Sequence, residues 1–379
     1  MKTKIVHILH AVGGVEVSLR LILGNINPDA FESVVIHGTN DTDKPFLDNN
    51  GIGVKAYQAP IFRDVNPLHD VKAISKVAAY VKKENPDLIH AHSAKGGVIA
   101  KIVGAQLKIP VVHTPQAYSF LSTQNRIKRS LFLQVEKGLS RFNNAILASS
   151  NSELNRAKNE VGYKPERLYL FNNAINPIKH ASDLSIEKTW PDEYICSVGR
   201  PSFQKNIELM IDVMDKLRQK KPSIHLVLMG VGFHAPNLES VTSKIDALGL
   251  ENNITLLEWT DRQDIFHIIH ASQLYISTAR YEGLPYSIIE ALALGKACVV
   301  TDADGNRDLI RDDYNGFVIH NEDVNAFSDM VMTLLQDEGI RTRFENASLQ
   351  RFNSEFNIEN TIGNLEKIYL EEIQKNKKP

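Results

Sequence analysis

Two glutamates in the C-terminal half have the type and spacing of side chains that bind a phosphorylated sugar. Glu282 and Glu290 enclose seven residues that begin with Gly-Leu-Pro-Tyr, directly after an apolar run with the character of a strand. A carboxylate accepts hydrogen bonds from sugar hydroxyls, and the backbone amides at a helix start attract a phosphate. Each glutamate alone would also suit a solvated loop or a helix dipole, but the pair around a glycine and proline turn favours a site.

A second loop brings two cations to a helix start. It runs from Gly199 to Asn206 and lies between an apolar run ending at Val198 and a helical segment. Arg200 and Lys205 would place a guanidinium and an ammonium where a diphosphate can bind. Cations on exposed loops are common, so the prediction depends on the position of this loop at the end of a strand.

The loop after the first apolar run carries paired glycines. Gly13 and Gly14 precede a helical run, and they let the backbone approach an anion at the helix start. The chain has neither the G-x-G-x-x-G spacing of a dinucleotide site nor the G-x-x-x-x-G-K-[ST] sequence of a phosphate loop. A glycine turn without a ligand remains the alternative for this loop.

Two candidate metal motifs are weak. His90 and His92 lie one residue apart at the end of an apolar run, but no third ligand lies near them in the sequence. Asp302 and Asp304 have the spacing of a D-x-D motif, but that motif belongs to a different fold, and we interpret them as an ordinary turn between strand and loop. We predict no metal site.

Composition indicates a globular protein of two domains. The chain has 379 residues, 43% of them hydrophobic and 23% charged, and a net charge of −2 that provides no general attraction for nucleic acid. Cys196 and Cys298 lie in apolar runs and are expected in the core of a protein from the reducing cytoplasm. We interpret residues 1–9 as a first strand, and no run of eighteen apolar residues predicts a membrane span.

The elements that position these loops follow from the apolar runs, which alternate with helical segments. Such alternation predicts an α/β fold with two doubly wound parallel sheets, whose ligands bind at the carboxyl ends of the strands. We place the N-terminal domain at 1–175, completed by a C-terminal helix at about 360–379, and the second domain at 190–359, with a linker at 176–189. The expected strands are 5–9, 33–37, 88–91, 111–114, 145–149 and 168–171, then 194–198, 225–229, 254–257, 274–277, 297–301 and 316–319.

Together these features resemble a retaining glycosyltransferase of family 4, with the GT-B architecture of two facing Rossmann-like domains. The resemblance covers essentially the whole chain and is most specific in the E-x7-E element and in the loop from Ser197 to Asn206. It implies that Arg200 and Lys205 neutralise the donor diphosphate, that Glu282 contacts the donor sugar, and that Glu290 holds the ribose.

The resemblance assigns further contacts. Gly199, Gly283, Leu284, Pro285 and Tyr286 would line the donor phosphates and sugar. Gly13 and Gly14 would approach the phosphates when the domains close, and the C-terminal helix would cross back to the first domain. His92 would face the acceptor.

The sequence departs from the family pattern at two positions. Gln116 stands where a histidine is usual in a Thr-x-His-Gly or Thr-Pro-His-Ala loop, and an amide can donate a hydrogen bond but cannot shuttle a proton. Ala174 replaces the glycine of Asn-Gly-Ile, where a positive φ would be unfavourable. Gln116 is retained as a site residue through its hydrogen bonding.

The expected enzyme is a metal-independent retaining glycosyltransferase without a cofactor. It would move a hexose or N-acetylhexosamine from a nucleoside diphosphate sugar, with uridine favoured by family frequency, to a glycan or polyprenyl-linked acceptor in surface polysaccharide synthesis. The departing phosphate would take the proton of the acceptor, so no side-chain base is required. A sugar-nucleotide epimerase and a non-catalytic sugar-nucleotide-binding subunit are the alternatives.

One segment is basic and amphipathic. Its apolar residues Leu131, Phe132, Leu133 and Val135 could face an anionic membrane, which would place the cytoplasmic enzyme at the inner face of the cell membrane. A solvated helix is the alternative. The interleaved cations are Arg126, Lys128, Arg129, Lys137 and Arg141.

Overall fold

The computed structural model describes residues 2–62, 66–123, 125–179, 183–232, 235–258, 260–320 and 322–377. The chain divides into two compact units. Unit 1 comprises Met1–Asn176 and Ile358–Pro379, and unit 2 comprises Pro177–Asn357. The segment predicted as a linker therefore falls at the junction of the units, and residues 180–182 of it lie outside the described ranges.

Unit 1 is built on a parallel sheet of seven described strands in the order β3-β2-β1-β4-β5-β6-β7. The strands are β1 (Thr3–Ile8), β2 (Phe31–Gly38), β3 (Lys55–Ala59), β4 (Leu88–His92), β5 (Val111–Thr114), β6 (Asn144–Ala148) and β7 (Leu168–Leu170). The helices between them are α1 (Gly14–Leu23), α2 (Pro67–Glu84), α3 (Ser93–Leu107), α4 (Arg126–Leu139) and α5 (Asn151–Arg156). Asparagine or serine side chains cap α2, α4 and α5, which fixes where these helices begin.

Unit 2 repeats the pattern with six described parallel strands in the order β10-β9-β8-β11-β12-β13. The strands are β8 (Ile195–Val198), β9 (Leu226–Met229), β10 (Ile254–Leu257), β11 (Tyr275–Ser277), β12 (Cys298–Thr301) and β13 (Gly316–Ile319). The helices are α6 (Ile207–Lys220), α7 (Leu238–Leu248), α8 (Arg262–Ala271), α9 (Tyr286–Ala293), α10 (Asp304–Leu309), α11 (Val324–Gln336) and α12 (Glu338–Arg351). In the centre of this sheet, β8, β11 and β12 are neighbours, so the loops that follow them share one edge.

The last helix, α13 (Ile358–Lys377), belongs to unit 1. Its residues Leu365, Tyr369 and Ile373 pack with Ile5 of β1 in one core of the sheet, whereas the neighbouring Val6 packs in another core with residues from α2 and α3. Alternate residues of one strand thus serve opposite faces, as in a sheet buried on both sides.

The turn that leads out of unit 1 differs from the expectation for a family Asn-Gly-Ile. Ala174 has a negative φ and is buried, and the carbonyl of Ile175 accepts a hydrogen bond from the amide of Ile358 at 3.0 Å. Alanine is therefore tolerated without backbone strain. No helix in the described ranges is both long enough and apolar enough to cross a bilayer.

Candidate functional site

In unit 2, Lys205 and Glu282 meet in an ion pair. The Lys205 Nζ lies 2.7 Å from Glu282 Oε1, and Gln204 Nε2 donates to Glu282 Oε2 at 3.1 Å. The Glu282 residue is only 8% exposed. The loops after β8 and β11 thus bring a cation and a carboxylate together from distant parts of the sequence.

The backbone of the Lys205 loop is fixed by the next strand. The Thr278 hydroxyl donates to the carbonyls of Lys205 at 3.2 Å and Asn206 at 2.9 Å, and the amide of Arg280 donates to the carbonyl of Gln204 at 2.8 Å. A side chain at Gly199 would come within 3.4 Å of the Lys205 methylenes. These contacts place the lysine before any ligand binds.

Arg200 stands apart from this pair. Its side chain is exposed, and no hydrogen bond or ion pair joins it to another residue in the described ranges. The structure therefore joins Lys205 and Glu282 directly and leaves the Arg200 guanidinium in solvent, where it can move toward a ligand.

The segment from Gly283 to Tyr286 is shaped by tight packing against α10. A side chain at Gly305 would lie 2.7 Å from the Gly283 carbonyl oxygen and 2.9 Å from Pro285 Cδ, so only glycine fits there. Leu284 is buried, and the Pro285 carbonyl accepts from the first turn of α9. Pro285 has no N–H, so any phosphate contact from this segment would come from the amides of its neighbours.

Glu290 lies within α9 and is almost fully buried. Its Oε1 accepts from Arg262 Nη2 of α8 at 2.8 Å. Burial raises the pKa of Glu290, while the nearby guanidinium of Arg262 opposes that rise. Arg262 could not be identified from the sequence, because no motif connects the start of α8 with the E-x7-E element.

In unit 1, a buried carboxylate ties together the loops after β1 and β2. Asp41 lies 2.8 Å from His10 Nδ1 through Oδ1, and its Oδ2 accepts from the amides of Ala11 and Gly38. Burial alone would raise the pKa of Asp41, but His10 and the two amides bring it below its ordinary value. The Asp41 carboxylate thus holds the chain just before Gly13, the residue that precedes α1 and has a φ of 61°.

Three imidazoles lie close together on the neighbouring strands β1 and β4. The cluster consists of His7, His90 and His92, whose potential ligand atoms lie within 4.8 Å of one another. His7 Nδ1 is 3.1 Å from His92 Nε2, and burial lowers the pKa of His7 to about 3. His7 is the third imidazole that the sequence did not reveal, because it joins the others only through the pairing of β1 with β4.

The cluster is a hydrogen-bonded network. Both nitrogens of His90 are engaged, Nδ1 with the Tyr369 hydroxyl at 2.6 Å and Nε2 with the Thr114 hydroxyl at 2.9 Å. His92, expected to face the acceptor, is completely buried, and burial holds its pKa well below the ordinary value. Its neutral ring therefore packs inside unit 1 rather than presenting a nitrogen at the surface.

The D-x-D sequence is explained by ion pairs. Arg307 contacts Asp302 through Nε at 2.8 Å and Asp304 through Nη2 at 3.2 Å, and His320 Nδ1 lies 2.7 Å from Asp302. The two carboxylates thus hold the turn between β12 and α10.

The loop after β5 contains Gln116, whose backbone φ is 53°, and Ala117, whose φ is 78°. The side-chain nitrogen of Gln116 is buried and has no hydrogen-bond partner in the described ranges. The amide of the next residue, Ala117, donates to Glu153 of α5, a residue that no sequence motif had indicated.

Two family models match consecutive parts of the chain. A model described as glycosyltransferase family 4 matches residues 12–179, and one described as glycosyl transferases group 1 matches residues 184–351. A relative from Escherichia coli, a UDP-Gal:alpha-D-GlcNAc-diphosphoundecaprenol alpha-1,3-galactosyltransferase, is 24% identical over 343 residues and covers 87% of both chains. The glycosyltransferase EpsD of Bacillus subtilis, whose assignment is putative, is 22% identical over 79% of both chains.

Solved structures agree at the level of the fold. The sucrose-phosphate synthase from Thermosynechococcus elongatus superposes with a TM-score of 0.81 at 16% identity, covering 98% of this chain and 99% of that one. The Anabaena protein HepE, in a complex with UDP and glucose, gives a TM-score of 0.78 at 19% identity, covering 97% and 99%. Both matches extend over nearly the whole of each chain.

Proposed function

The chain belongs to the GT-B glycosyltransferases of family 4, and we propose that it moves a hexose or N-acetylhexosamine from a UDP-sugar onto a glycan or lipid-linked acceptor. The product would serve surface polysaccharide synthesis, in keeping with the name of another relative, the O-antigen biosynthesis glycosyltransferase WbnH of Escherichia coli. The observation that carries this proposal is the ion pair of Lys205 with Glu282 at the shared edge of β8 and β11.

The donor would be held chiefly by unit 2. Lys205, joined by the mobile guanidinium of Arg200, would neutralise the diphosphate, and Glu282 would exchange its ammonium partner for hydroxyls of the sugar. Glu290 would accept from the ribose, while Arg262 opposes the rise in the pKa of Glu290 that burial causes. The contact of Gly13 and Gly14 with the phosphates stays a prediction.

The chemistry would proceed with retention of configuration and without a side-chain base. The cations of Lys205 and Arg200 stabilise the negative charge that grows on the departing diphosphate, and the same phosphate takes the proton of the attacking hydroxyl. Gln116 would contribute a hydrogen bond to the sugar rather than a proton transfer. A metal ion has no required role in these steps, since the side chains themselves supply the positive charge.

Nucleotide binding and turnover test this proposal. UDP should raise the melting temperature more than GDP or ADP, since a ligand that binds only the folded state stabilises it. With a UDP-sugar and a lipid-linked acceptor, Lys205→Ala should lower kcat by roughly 10²–10³-fold, as removing one transition-state donor does in other enzymes.

The matched control is Lys244→Ala. Lys244 forms a surface ion pair with Asp212 at 2.6 Å in the same unit, so its loss should leave turnover almost unchanged. Near-normal turnover by Lys205→Ala would contradict the proposal. Conversion of the UDP-sugar into a different sugar nucleotide without any acceptor would instead establish an epimerase.

For the acceptor, we propose that α4 contacts an anionic membrane. Ile127 is 81% exposed, Leu131 60% and Val135 42%, and their spacing of four residues forms one apolar stripe. Phe132 and Leu133, expected on the same face, instead pack inward with Tyr118 and its neighbours. Helix α4 also carries the cations Arg126, Lys128, Arg129 and Lys137, of which Arg129 pairs with Glu160, and Arg141 follows the helix.

Vesicle binding tests the membrane contact. Leu131→Asp should abolish co-sedimentation with anionic vesicles at low salt, because it places a charge in the middle of the stripe. Leu370→Asp is the control, since Leu370 is also exposed but neighbours the acidic Glu371 and Glu372 of α13. Equal binding by both variants, or no binding by the unaltered protein, would reject the contact.

A further inference from the structure

The loop after β5 holds two consecutive non-glycine residues in the left-handed region of the backbone. Gln116 has a φ of 53° and Ala117 a φ of 78°. Each such residue costs about 1–3 kcal/mol, and residues of this kind persist only where surrounding contacts enforce them. The contacts that enforce this turn therefore identify what holds Gln116 in place.

One buried carboxylate supplies those contacts. Glu153 Oε1 accepts from the amide of Ala117 at 2.9 Å, and Oε2 accepts from the amide of Ser149 at 2.7 Å and from the Ser149 hydroxyl at 2.9 Å. Glu153 is 4% exposed. Its own amide donates to the Ser150 hydroxyl at 3.1 Å, which fixes the start of α5.

These bonds join two neighbouring strand ends. Ala117 follows β5 and Ser149 follows β6, which pairs with β5 in the sheet. On the other side of the turn, Tyr118 is buried and stacks on Phe120 with ring centroids 5.0 Å apart. The strained turn is thus held in two ways. The Ala117 amide makes a charge-assisted hydrogen bond to Glu153, and the next residue, Tyr118, packs against Phe120.

The turn presents an unused donor. The Gln116 Nε2 is buried and finds no hydrogen-bond partner in the described part of the chain. A buried donor without a partner costs about 1–3 kcal/mol, and a ligand oxygen would remove that cost. Strain and an unpaired amide at the same residue both suggest a turn shaped for a ligand.

We infer that Glu153 is a positioning residue that holds the Gln116–Ala117 turn so that the Gln116 amide can donate to a hydroxyl of the bound sugar. This inference rests on the proposed function, because it assigns the ligand of Gln116 to the sugar of the donor or acceptor. Glu153 acts through the turn and does not itself touch the substrate.

The primary variant is Glu153→Gln. Glutamine keeps one acceptor oxygen but places an NH2 group against one of the two backbone N–H groups that donate to the carboxylate, and it removes the charge. The clamp on the turn is therefore weakened with little change in side-chain volume. We expect kcat to fall by roughly 10–100-fold, in line with the cost of a small misplacement, while the KM for the UDP-sugar stays within about twofold. A purely structural role would lower the melting temperature and leave the kcat of the folded protein unchanged.

Two second variants test whether the loss runs through the turn. Ala117→Gly removes the Cβ penalty at positive φ, so adding it to Glu153→Gln should recover a large part of kcat. Gln116→Ala should lower kcat by itself, and Glu153→Gln should then add little further loss, because the two residues act as one unit.

The hydrogen exchange rate of the Ala117 amide measures how firmly the turn is held, independently of activity. The amide of Ala117 should exchange faster in Glu153→Gln than in the unaltered protein. Glu160→Gln, a change about two turns further along in a partly exposed ion pair, should alter neither exchange nor kcat. Unchanged exchange, unchanged kcat, or fully additive losses with Gln116→Ala would overturn the inference. Absence of transfer by the unaltered protein would overturn the proposed function, whereas active protein with insensitive Glu153 variants would overturn only this inference.

Discussion

At the scale of single residues, the two glutamates of the E-x7-E element have different surroundings. Glu282 shares its carboxylate between Lys205 and Gln204, whereas Glu290 is buried in α9 with one guanidinium as its partner. Burial raises the pKa of Glu290, so its proton returns at a higher pH than for an ordinary glutamate. A protonated Glu290 would accept fewer hydrogen bonds from a ribose.

The affinity for UDP should therefore decline on the acid side, as the pH falls through the raised pKa of Glu290. Removing Arg262, which holds that pKa down, should raise it further. We predict that Arg262→Gln moves the acid limb of the UDP affinity to higher pH, measured by calorimetry across the acidic to neutral range. Arg218→Gln alters an ion pair with Asp215 elsewhere in unit 2, so it should leave the pH at which the UDP affinity declines unchanged. The same pH dependence in both variants would contradict the assignment of this decline to Glu290.

The sequence identified residues whose signal is local. Lys205 and Glu282 could be predicted because each follows an apolar strand and carries a charge at a helix start. Arg262 and Glu153 could not, since their partners lie on other elements and, for Glu153, are backbone amides. His7 was missed because strand register alone brings it to His92.

At the scale of elements, most of the alternation of strands and helices was predictable, because the central strands of both sheets are buried and largely apolar. The edge strand β3 was missed, because its sequence from Lys55 to Ala59 is polar and mostly exposed. The contact between α3 and α4 could not be predicted from the sequence. Lys101 of α3 is buried with its Nζ 2.9 Å from Glu136 Oε2 of α4. Burial alone would lower the pKa of Lys101, but Glu136 and Tyr163 outweigh it and keep the ammonium charged.

Breaking this pair should destabilise the protein strongly. We predict that Lys101→Met lowers the free energy of unfolding by about 3–5 kcal/mol, because it leaves the Glu136 carboxylate buried without a cation. Urea denaturation measures this, and the double variant Lys101→Met with Glu136→Leu should recover most of the loss. Lys95 lies on α3, like Lys101, and forms a more exposed pair with Asp70 of α2. Lys95→Met should therefore cost about 1 kcal/mol or less. A small effect at Lys101 would mean that Glu136 finds another partner.

At the scale of the whole molecule, the return of the chain to unit 1 is the main feature of the topology. The helical spacing of apolar residues near the end predicted α13, and the resemblance assigned it to the first domain. Its contacts depend on the three-dimensional core, which periodicity does not specify. In that core, the Tyr369 ring lies edge-on to the Phe31 ring with 6.1 Å between the ring centroids, and the Tyr369 hydroxyl forms a hydrogen bond with His90.

Unit 1 should depend on α13 for its stability. Leu365 is completely buried, so Leu365→Ala should lower the unfolding free energy by about 2–5 kcal/mol through lost burial and a cavity. Leu370→Ala, at an exposed position of the same helix, should change it by less than about 0.5 kcal/mol. The UDP affinity at low temperature should be nearly equal in both variants, because the residues proposed to hold the donor lie chiefly in unit 2. A loss of UDP affinity specific to Leu365→Ala would contradict this separation.

The core between β1 and α13 has a consequence for biosynthesis. A ribosome must translate the whole of unit 2 after residue 176 before Leu365 and Tyr369 emerge, which takes about 10–40 s at typical elongation speeds. During that interval one apolar face of the nascent first sheet stays uncovered and is available to chaperones. The later-made half of the protein therefore has the means to finish folding while the earlier-made half still waits for its final helix.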